Sequence, residues 1–516
     1  MSEELPPGWL ETPLADVCEP VSQRGPSRER ETFRYVDLSA LDNKAKRIAQ
    51  ANSVPISDAP SRAKQVIAKG DVLFSTVRVY LENIAQVPEE LDGEIASTAF
   101  CVLRPRKGLD PKYLYYFVTS RRFIQAVNEL QRGNSPPSVQ DGDVRGQRIP
   151  LAPPREQQRI ASRIDELFSD IEEGERALER VQKLVERYRQ SVLKAAVTGE
   201  LTREWREKHK GPLESGEALL QRILEARMAS SSMRRRHPEA RGPDISALAP
   251  LPQGWAWTSI EQAGAVKLGR QRAPQHHVGD HMRPYLRVAN VYEDRLDLSD
   301  VKEMNFTPLE YETYALRDGD ILLNEGQSPE LVGRPAMYRG EVPGCCYQKT
   351  LLRFRAHTAV SAAFALLVFR YYLHCGRFRC SANITTSIAH LAAERFGPIE
   401  FPLPPELEQS EIVEVASTKL SQIDHLELEL KARRKSIQVL RQATLKSAFS
   451  GNLVPQDPLE EPASVLLERL GDLHAAELEH TRVRTGRSKT KPLAKVMKEH
   501  GLQPQAQRRT RTPRGV

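Results

Sequence analysis

Pro153-Pro154-Arg155-Glu156-Gln157-Gln158-Arg159-Ile160 opens a run in which apolar or small residues recur every three or four positions. They fall at Ile160, Ile164, Leu167, Ile171, Gly174, Leu178, Val181, Val185, Tyr188, Val192 and Ala195. An unbroken alternation of four and three is the seam of a heptad repeat, here about five heptads long, and predicts a long helix that pairs with another helix. The prolines suit its first turn, and Thr198-Gly199 suits its end, because glycine readily takes the left-handed cap conformation. From about Gln157 to Thr198 the helix is roughly 60 Å long at ~1.5 Å per residue, more than one small globule can bury.

The same opening stands a second time. Ile149-Pro150-Leu151-Ala152-Pro153-Pro154 resembles Phe401-Pro402-Leu403-Pro404-Pro405, and Glu156-Gln157 recurs as Glu408-Gln409, with Leu407 read as one extra residue. Outward from there the copies continue. Leu5-Pro6-Pro7-Gly8-Trp9 recurs as Leu251-Pro252-Gln253-Gly254-Trp255, and Gly70-Asp71-Val72-Leu73 as Gly319-Asp320-Ile321-Leu322. Leu103-Arg104 is matched with Leu352-Arg353, and Leu193-Lys194-Ala195-Ala196 through Gly199 with Leu445-Lys446-Ser447-Ala448 through Gly451. The offsets of 246, 249, 249, 252 and 252 drift in one direction, as small loop insertions produce in a duplicated chain. The second seam holds at Ile412, Ala416, Ile423, Leu426, Leu430, Ile437 and Leu440 and is interrupted by Lys419 and Arg433.

Each repeat therefore has two parts. The first mixes short strands with helices. Val72–Val77, Glu94–Leu103, Pro284–Val291 and Asp320–Asn324 read as strands, and Pro111–Gln131 and Ala362–His374 as helices. The second part is the long helix. Apolar runs follow each helix, at Leu219-Leu220-Gln221-Arg222-Ile223 and Leu466-Leu467-Glu468-Arg469-Leu470. Ser230–Pro250 reads as a linker and the stretch from about Arg482 as a disordered basic tail. The expected fold class is α+β: two α/β domains, each followed by a long helix, with the helices packed as an antiparallel coiled coil about a pseudo-twofold axis. Two globules on such a ruler suit a target with two separated features, and successive major-groove faces of DNA lie about 34 Å apart.

Composition narrows the class of function. The chain has 516 residues, 40% hydrophobic and 28% charged, enough for several domains. No apolar stretch reaches the ~18 residues of a membrane span, and Met1-Ser2-Glu3-Glu4 does not open a signal core, so the expected location is the cytoplasm. Six scattered cysteines form no disulfide framework. The net charge of +7 is uneven: residues 479–516 carry +9, which leaves the remainder near −2. DNA binding must then rest on local patches, with the tail adding sequence-independent phosphate contacts.

Catalytic signatures are missing. No Gly-x-x-x-x-Gly-Lys-Ser/Thr phosphate loop is present, and Asn134-Ser135-Pro136-Pro137 only superficially resembles the Asn/Asp-Pro-Pro-Tyr/Phe motif of amino-methyltransferases. Cys375 and Cys380, with His374 and His390 nearby, are too loosely spaced for zinc, and no metal site is expected.

Taken together and in order, these motifs resemble the specificity subunits of Type I restriction-modification systems, from Leu5 to about Leu470. The resemblance implies target-recognition domains at 1–152 and 251–402 and conserved spacer helices at 153–200 and 403–452. Residues 201–250 become a connector and linker, and 453–516 a short helix with a basic tail. It implies a non-catalytic chain that reads an asymmetric, interrupted DNA sequence methylated on adenine. Two methylation subunits would carry S-adenosylmethionine, and two restriction motor-nuclease subunits would carry ATP and Mg; this chain would bind no cofactor and no membrane. The alternative is a coiled-coil scaffold whose globules bind proteins.

Base reading needs polar side chains on loops that reach groove edges. In the first globule the candidates are Ser75, Thr76, Arg78, Arg132, Asn134, Arg145 and Arg148. In the second they are Lys267, Arg270, Arg272, Asn324, Gln327, Arg334, Thr385 and Thr386.

Overall fold

The computed structural model describes residues 5–484 apart from 22, 134–135, 210, 212, 232–239, 241 and 386. Part of the expected linker and the basic tail beyond 484 lie outside the described residues, as do Asn134 and Thr386. The chain divides into two compact units. Unit 1 is Met1–Ala177 with Arg433–Val516, and unit 2 is Leu178–Ala432.

In unit 1 the central strand Val72–Ser75 lies between Phe100–Pro105 and Ile84–Gln86, with Cys18–Glu19 beyond. Successive strand side chains point to opposite faces. Val72 and Phe74 accordingly join the core beneath the helices Pro111–Val118 and Arg121–Asn128, whereas Leu73 faces a second cluster with Phe100 and Val102. Unit 2 repeats the plan. Ile321–Asn324 lies between Leu351–Ala356 and Pro335–Met337, Ile321 and Leu323 face the core under Ala362–His374, and Leu322 faces the other way. Two strands expected from the sequence are broken: 94–103 becomes Ile95–Ser97 and Phe100–Pro105, and 284–291 becomes Met282–Leu286 and Val291–Tyr292.

The ladders correct the alignment of the repeats. Val72 pairs with Leu103, and its counterpart Ile321 pairs with Phe354. Leu103-Arg104 therefore corresponds to Phe354-Arg355, not to Leu352-Arg353. The proof is chemical: Arg104 forks onto the buried Asp71 at 2.9 and 2.7 Å, and Arg355 forks onto Asp320 at 2.6 and 2.6 Å. Such bidentate pairs fix geometry as well as charge. Leu407 is likewise no insertion. Leu151 faces Leu10 and Leu403 faces Ala256 at the ends of matching two-stranded ladders, so the offset of 252 runs on unbroken to Glu156 and Glu408.

The long helices are Pro154–Val197 and Glu406–Phe449, 44 residues each. Their starts explain the recurring motifs. The Trp9 indole N–H donates to Glu156 Oε2 at 3.0 Å, and that of Trp255 donates to Glu408 Oε2 at 2.9 Å. Gln157 accepts the Asp110 amide at 2.8 Å while donating to the Ala152 carbonyl; Gln409 accepts the Ser361 amide at 2.7 Å and donates to Pro404. The Glu-Gln pair thus ties the helix to its own globule. Gly199 and Gly451, both at φ 73°, end the helices in the left-handed conformation that glycine takes without strain.

The units do not coincide with the repeats. Unit 1 holds the start of the first long helix and the end of the second, with Leu445, Ala448 and Phe449 in its core. Phe449 packs edge-on to Tyr113 and Phe117, at 5.1 and 5.3 Å between ring centres. Unit 2 holds the converse halves, with Val192, Leu193 and Ala196 in its core. The connectors cross over too. Leu219 and Ile223 of the helix Gly216–Ser231 are buried in unit 2, and Leu466 and Leu470 of Ala463–Arg484 are buried in unit 1.

Within each unit the helix segments run antiparallel and are bridged by arginine. Arg441 meets Glu175 at 3.1 Å and lies over the Phe168 ring in unit 1, and Arg189 meets Asp424 at 2.6 Å and Glu427 at 3.0 Å in unit 2. The seam is only partly buried. Ile160, Ile164, Ile171, Val185 and Ile423 are buried, whereas Leu167, Leu178, Leu430 and Ile437 are half-buried. Val181, Leu426 and Leu440 are 42, 44 and 53% exposed, contrary to the seam expected of them. Heptad spacing selects a face, but burial needs a partner at that level, and it is strongest where a helix lies on a globular core.

Candidate nucleic-acid interface

The central strand of each globule runs into a loop that is hydrogen-bonded to a second loop preceding the long helix. In unit 1 the Val139 amide donates to the Thr76 carbonyl at 2.8 Å and the Arg78 amide donates to Pro137 at 2.9 Å. Ser138 bridges both Val77 and Arg132. In unit 2 the Leu391 amide donates to Glu325 at 2.7 Å, Gly326–Gln327 pairs with Ala389–His390, and that strand pairs with Asn383–Ile384. The duplicated scaffold thus presents one paired-loop surface per unit, built from different residues.

Four of the candidates stand on these surfaces, two of them with a local bond: the Thr385 hydroxyl donates to the Ile388 carbonyl at 3.1 Å and Gln327 accepts the Ser328 amide at 3.2 Å. Arg78 is exposed and held at φ 50°, a left-handed conformation unusual for a residue with a Cβ. Arg132 is exposed and paired with Asp143 at 3.0 Å, a surface pair worth about 0–1 kcal/mol that an incoming phosphate can replace. Gln327 is half-buried, and Thr385 is exposed beside Ile384 and Ile388, two large apolar side chains open to solvent. Arg334, half-buried, closes the loop that begins at Gln327.

Ser75, Thr76 and Asn324 are buried at the root of the loops. The Ser75 hydroxyl donates to Val77 and that of Thr76 to Ala99, so both shape the turn instead of facing outward. Neither polar atom of the Asn324 amide has a partner in the fold. Two arginines expected to read bases, Arg145 and Arg270, are engaged internally, whereas Arg148 stays exposed beside Glu11. Arg145 donates to the Glu19 and Val102 carbonyls at 3.2 and 2.6 Å. Arg148 donates to the Glu11 carbonyl at 2.7 Å, and Arg270 pairs with Glu310 at 2.8 Å over the Phe306 ring. A guanidinium saturated by carbonyls and carboxylates has few donors left for DNA. Lys267 lies over Tyr314, with burial lowering its pKa, and Arg272 donates to His277; neither joins the paired loops through a hydrogen bond.

His374 and His390, weighed in the sequence only against zinc, are bonded to Glu293 at 3.0 Å and Glu325 at 3.3 Å. Burial opposes the charge on Glu293, but His374 and Arg370 together hold its carboxyl down at about 2. Among the described residues no three His, Cys, Asp or Glu side chains stand together in a way that fits a metal ion. No described helix is long and apolar enough to cross a membrane. A concavity of about 760 Å³ in unit 1 is lined by residues such as Phe117, Arg121, Val439 and Phe449, not by the paired loops.

Comparison with known proteins bears on the family and the fold. Residues 6–180 match the Type I restriction modification DNA specificity domain. The chain is 23% identical to the StySPI specificity subunit of Salmonella potsdam, over 90% of this chain and 96% of that one. It is 22% identical to the EcoKI specificity subunit of Escherichia coli K12, over 92% and 97%. Among solved structures, a chain from work on complex assembly and conformational transition of the type I R-M system superposes with a TM-score of 0.67 and 26% identity, covering 87% of this chain and 99% of that one. The HsdS subunit of Thermoanaerobacter tengcongensis superposes with a TM-score of 0.54 and 27% identity, over the same shares of the two chains.

Proposed function

We propose that this chain, which belongs to the family of Type I restriction-modification specificity subunits, is the DNA-recognition subunit of such a complex and reads two unlike half-sites, one with each paired-loop surface. The observation that carries this reading is the duplication of one loop-pair geometry on one strand-and-helix scaffold with different side chains at the tips, Arg78 and Arg132 in unit 1 against Gln327 and Thr385 in unit 2. Equal scaffolds with unequal tips suit a bipartite, asymmetric target separated by a spacer the protein does not touch.

The chain recognises and does not catalyse. Methylation subunits, two by the twofold repeat, would bring S-adenosylmethionine and flip the target adenine, and two restriction subunits would bring ATP and Mg. The long helices set the spacing of the half-sites and hold those partners. No finding favours a scaffold that binds only proteins.

The test is single-molecule sequencing of adenine methylation in a host that co-expresses this chain with a related methylation subunit, against a control lacking this chain. One new interrupted motif present only with the chain is the expected result. A soluble complex that leaves the methylome unchanged would count against the reading.

A further inference from the structure

In unit 2 a short hairpin, Val291–Tyr292 paired with Arg295–Leu296, docks on the strand Pro335–Met337 through the Asp294 amide and the Pro335 carbonyl, 2.9 Å apart. That strand directly follows the loop running from Gln327 to Arg334, so the hairpin borders the paired-loop surface. Two guanidinium groups lie over one ring there: Arg295 at 4.8 Å and Arg334 at 4.7 Å from the centre of Tyr292, which is itself 39% exposed.

Two like charges on one ring with no counter-ion form an unusual arrangement in this unit. Arg270, Arg287, Arg339, Arg355, Arg370 and Arg377 each meet a carboxylate. Among the described residues neither Arg295 nor Arg334 has an acidic partner within ion-pairing distance; Asp297 and Glu293 act on them only at longer range. Arg334 Nε is buried without a hydrogen-bond partner, so its head is positioned by stacking on the ring and not by hydrogen bonds. The terminal nitrogens of both side chains are left for a ligand. A stacked guanidinium loses little freedom on binding, and its planar fork matches two oxygens of a phosphodiester.

The equivalent hairpin of unit 1 shows what was changed. There Asp42 faces Arg47 across the ladder where Tyr292 faces Arg295 in unit 2, and Arg47 is among the charges that hold the Asp42 carboxyl below its usual range, after the Ala45 and Lys44 amides. One repeat sets a carboxylate opposite its hairpin arginine across the ladder, at longer than ion-pairing distance; the other sets a tyrosine there, stacks the arginine on it and adds a second arginine.

We propose that Arg295 and Arg334, braced on Tyr292, clamp a backbone phosphate of the duplex bound by unit 2, a contact without counterpart in unit 1. This rests on the DNA-recognition reading. The test uses the full chain in complex with methylation subunits and measures affinity across a salt series for two duplexes, one carrying the motif found by methylation sequencing and one with that motif scrambled. R295Q and R334Q should each weaken binding to both duplexes by about tenfold. The slope of log affinity against log salt should fall by about one for each lost contact. Y292L should weaken both duplexes, Y292F should restore them, and R47Q should match the parent chain. Parental affinity and slope in R295Q and R334Q would overturn the clamp while leaving the DNA reading intact, as would a loss confined to the motif duplex, which marks a base contact. Failure of the parent complex to bind either duplex would overturn the DNA reading and the clamp with it.

Discussion

Glu156 and Glu408 hold the same place in the two repeats and accept the same indole hydrogen bond, yet their second oxygens meet different surroundings. Glu408 Oε1 accepts the Thr202 hydroxyl at 2.7 Å and is bridged by Arg206, both from the connector of the other repeat. Glu156 Oε1 is buried with no partner, and burial raises its pKa. The positions matching Thr202 and Arg206 at the offset of 252 hold Val454 and Pro458. Unit 1 makes its connector ion pair with the signs exchanged instead, Arg159 on the helix bonding Glu460 of the connector. Two copies of one dock have thus drifted apart by reassigning charge while retaining the tryptophan–glutamate bond. What the two joints share is the tryptophan–glutamate bond and an ion pair to the connector, not a particular pair of charged residues.

The two docks differ in what their loss should cost. The largest effect belongs to unit 2. R206M leaves a buried carboxylate without its cation, and losing one partner of a buried pair should lower stability by about 3 kcal/mol. Chemical unfolding followed by tryptophan fluorescence reads this directly, and an unchanged midpoint would mean that the Glu408 bridge contributes nothing.

A smaller effect of opposite sign belongs to unit 1. The folded-state pKa of Glu156 is raised, so the folded chain binds more protons than the unfolded one, and stability is lost as pH rises through the folded pKa. E156Q removes that dependence. It should match the parent below the ordinary glutamate range and become modestly more stable above it. A parent chain that gains stability over the same rise, relative to E156Q, would show that Glu156 has a partner after all.

Much of the architecture was legible in the sequence because it is written in spacing. The order of duplicated motifs gave two globules, and the four-and-three alternation from Ile160 to Ala195 gave the first long helix. What spacing does not encode is which surface a residue meets. Val181, Leu426 and Leu440 keep the heptad register and remain exposed. The connectors look like appendages of their own repeats, yet Leu219 and Leu466 are buried in the other unit, a choice made by tertiary packing.

The site was legible in the same uneven way. Polar loops after the central strand drew attention to Arg78, Arg132, Gln327 and Thr385, and the fold places all four on the paired loops. Arg145 and Arg270 look identical to them in a sequence, but their donors are engaged by carbonyls and Glu310. Tyr292 and Arg295 were missed because only the register of a two-residue ladder sets them side by side.

The central claim is that each paired-loop surface reads its own half-site. The direct test is adenine methylation mapping for the complex carrying Gln327→Ala and Thr385→Ala beside the parent complex. The expected result is a motif relaxed or altered in one half, with the other half and the spacer unchanged. Changes in both halves, or an unaltered motif at full methylation, would contradict it.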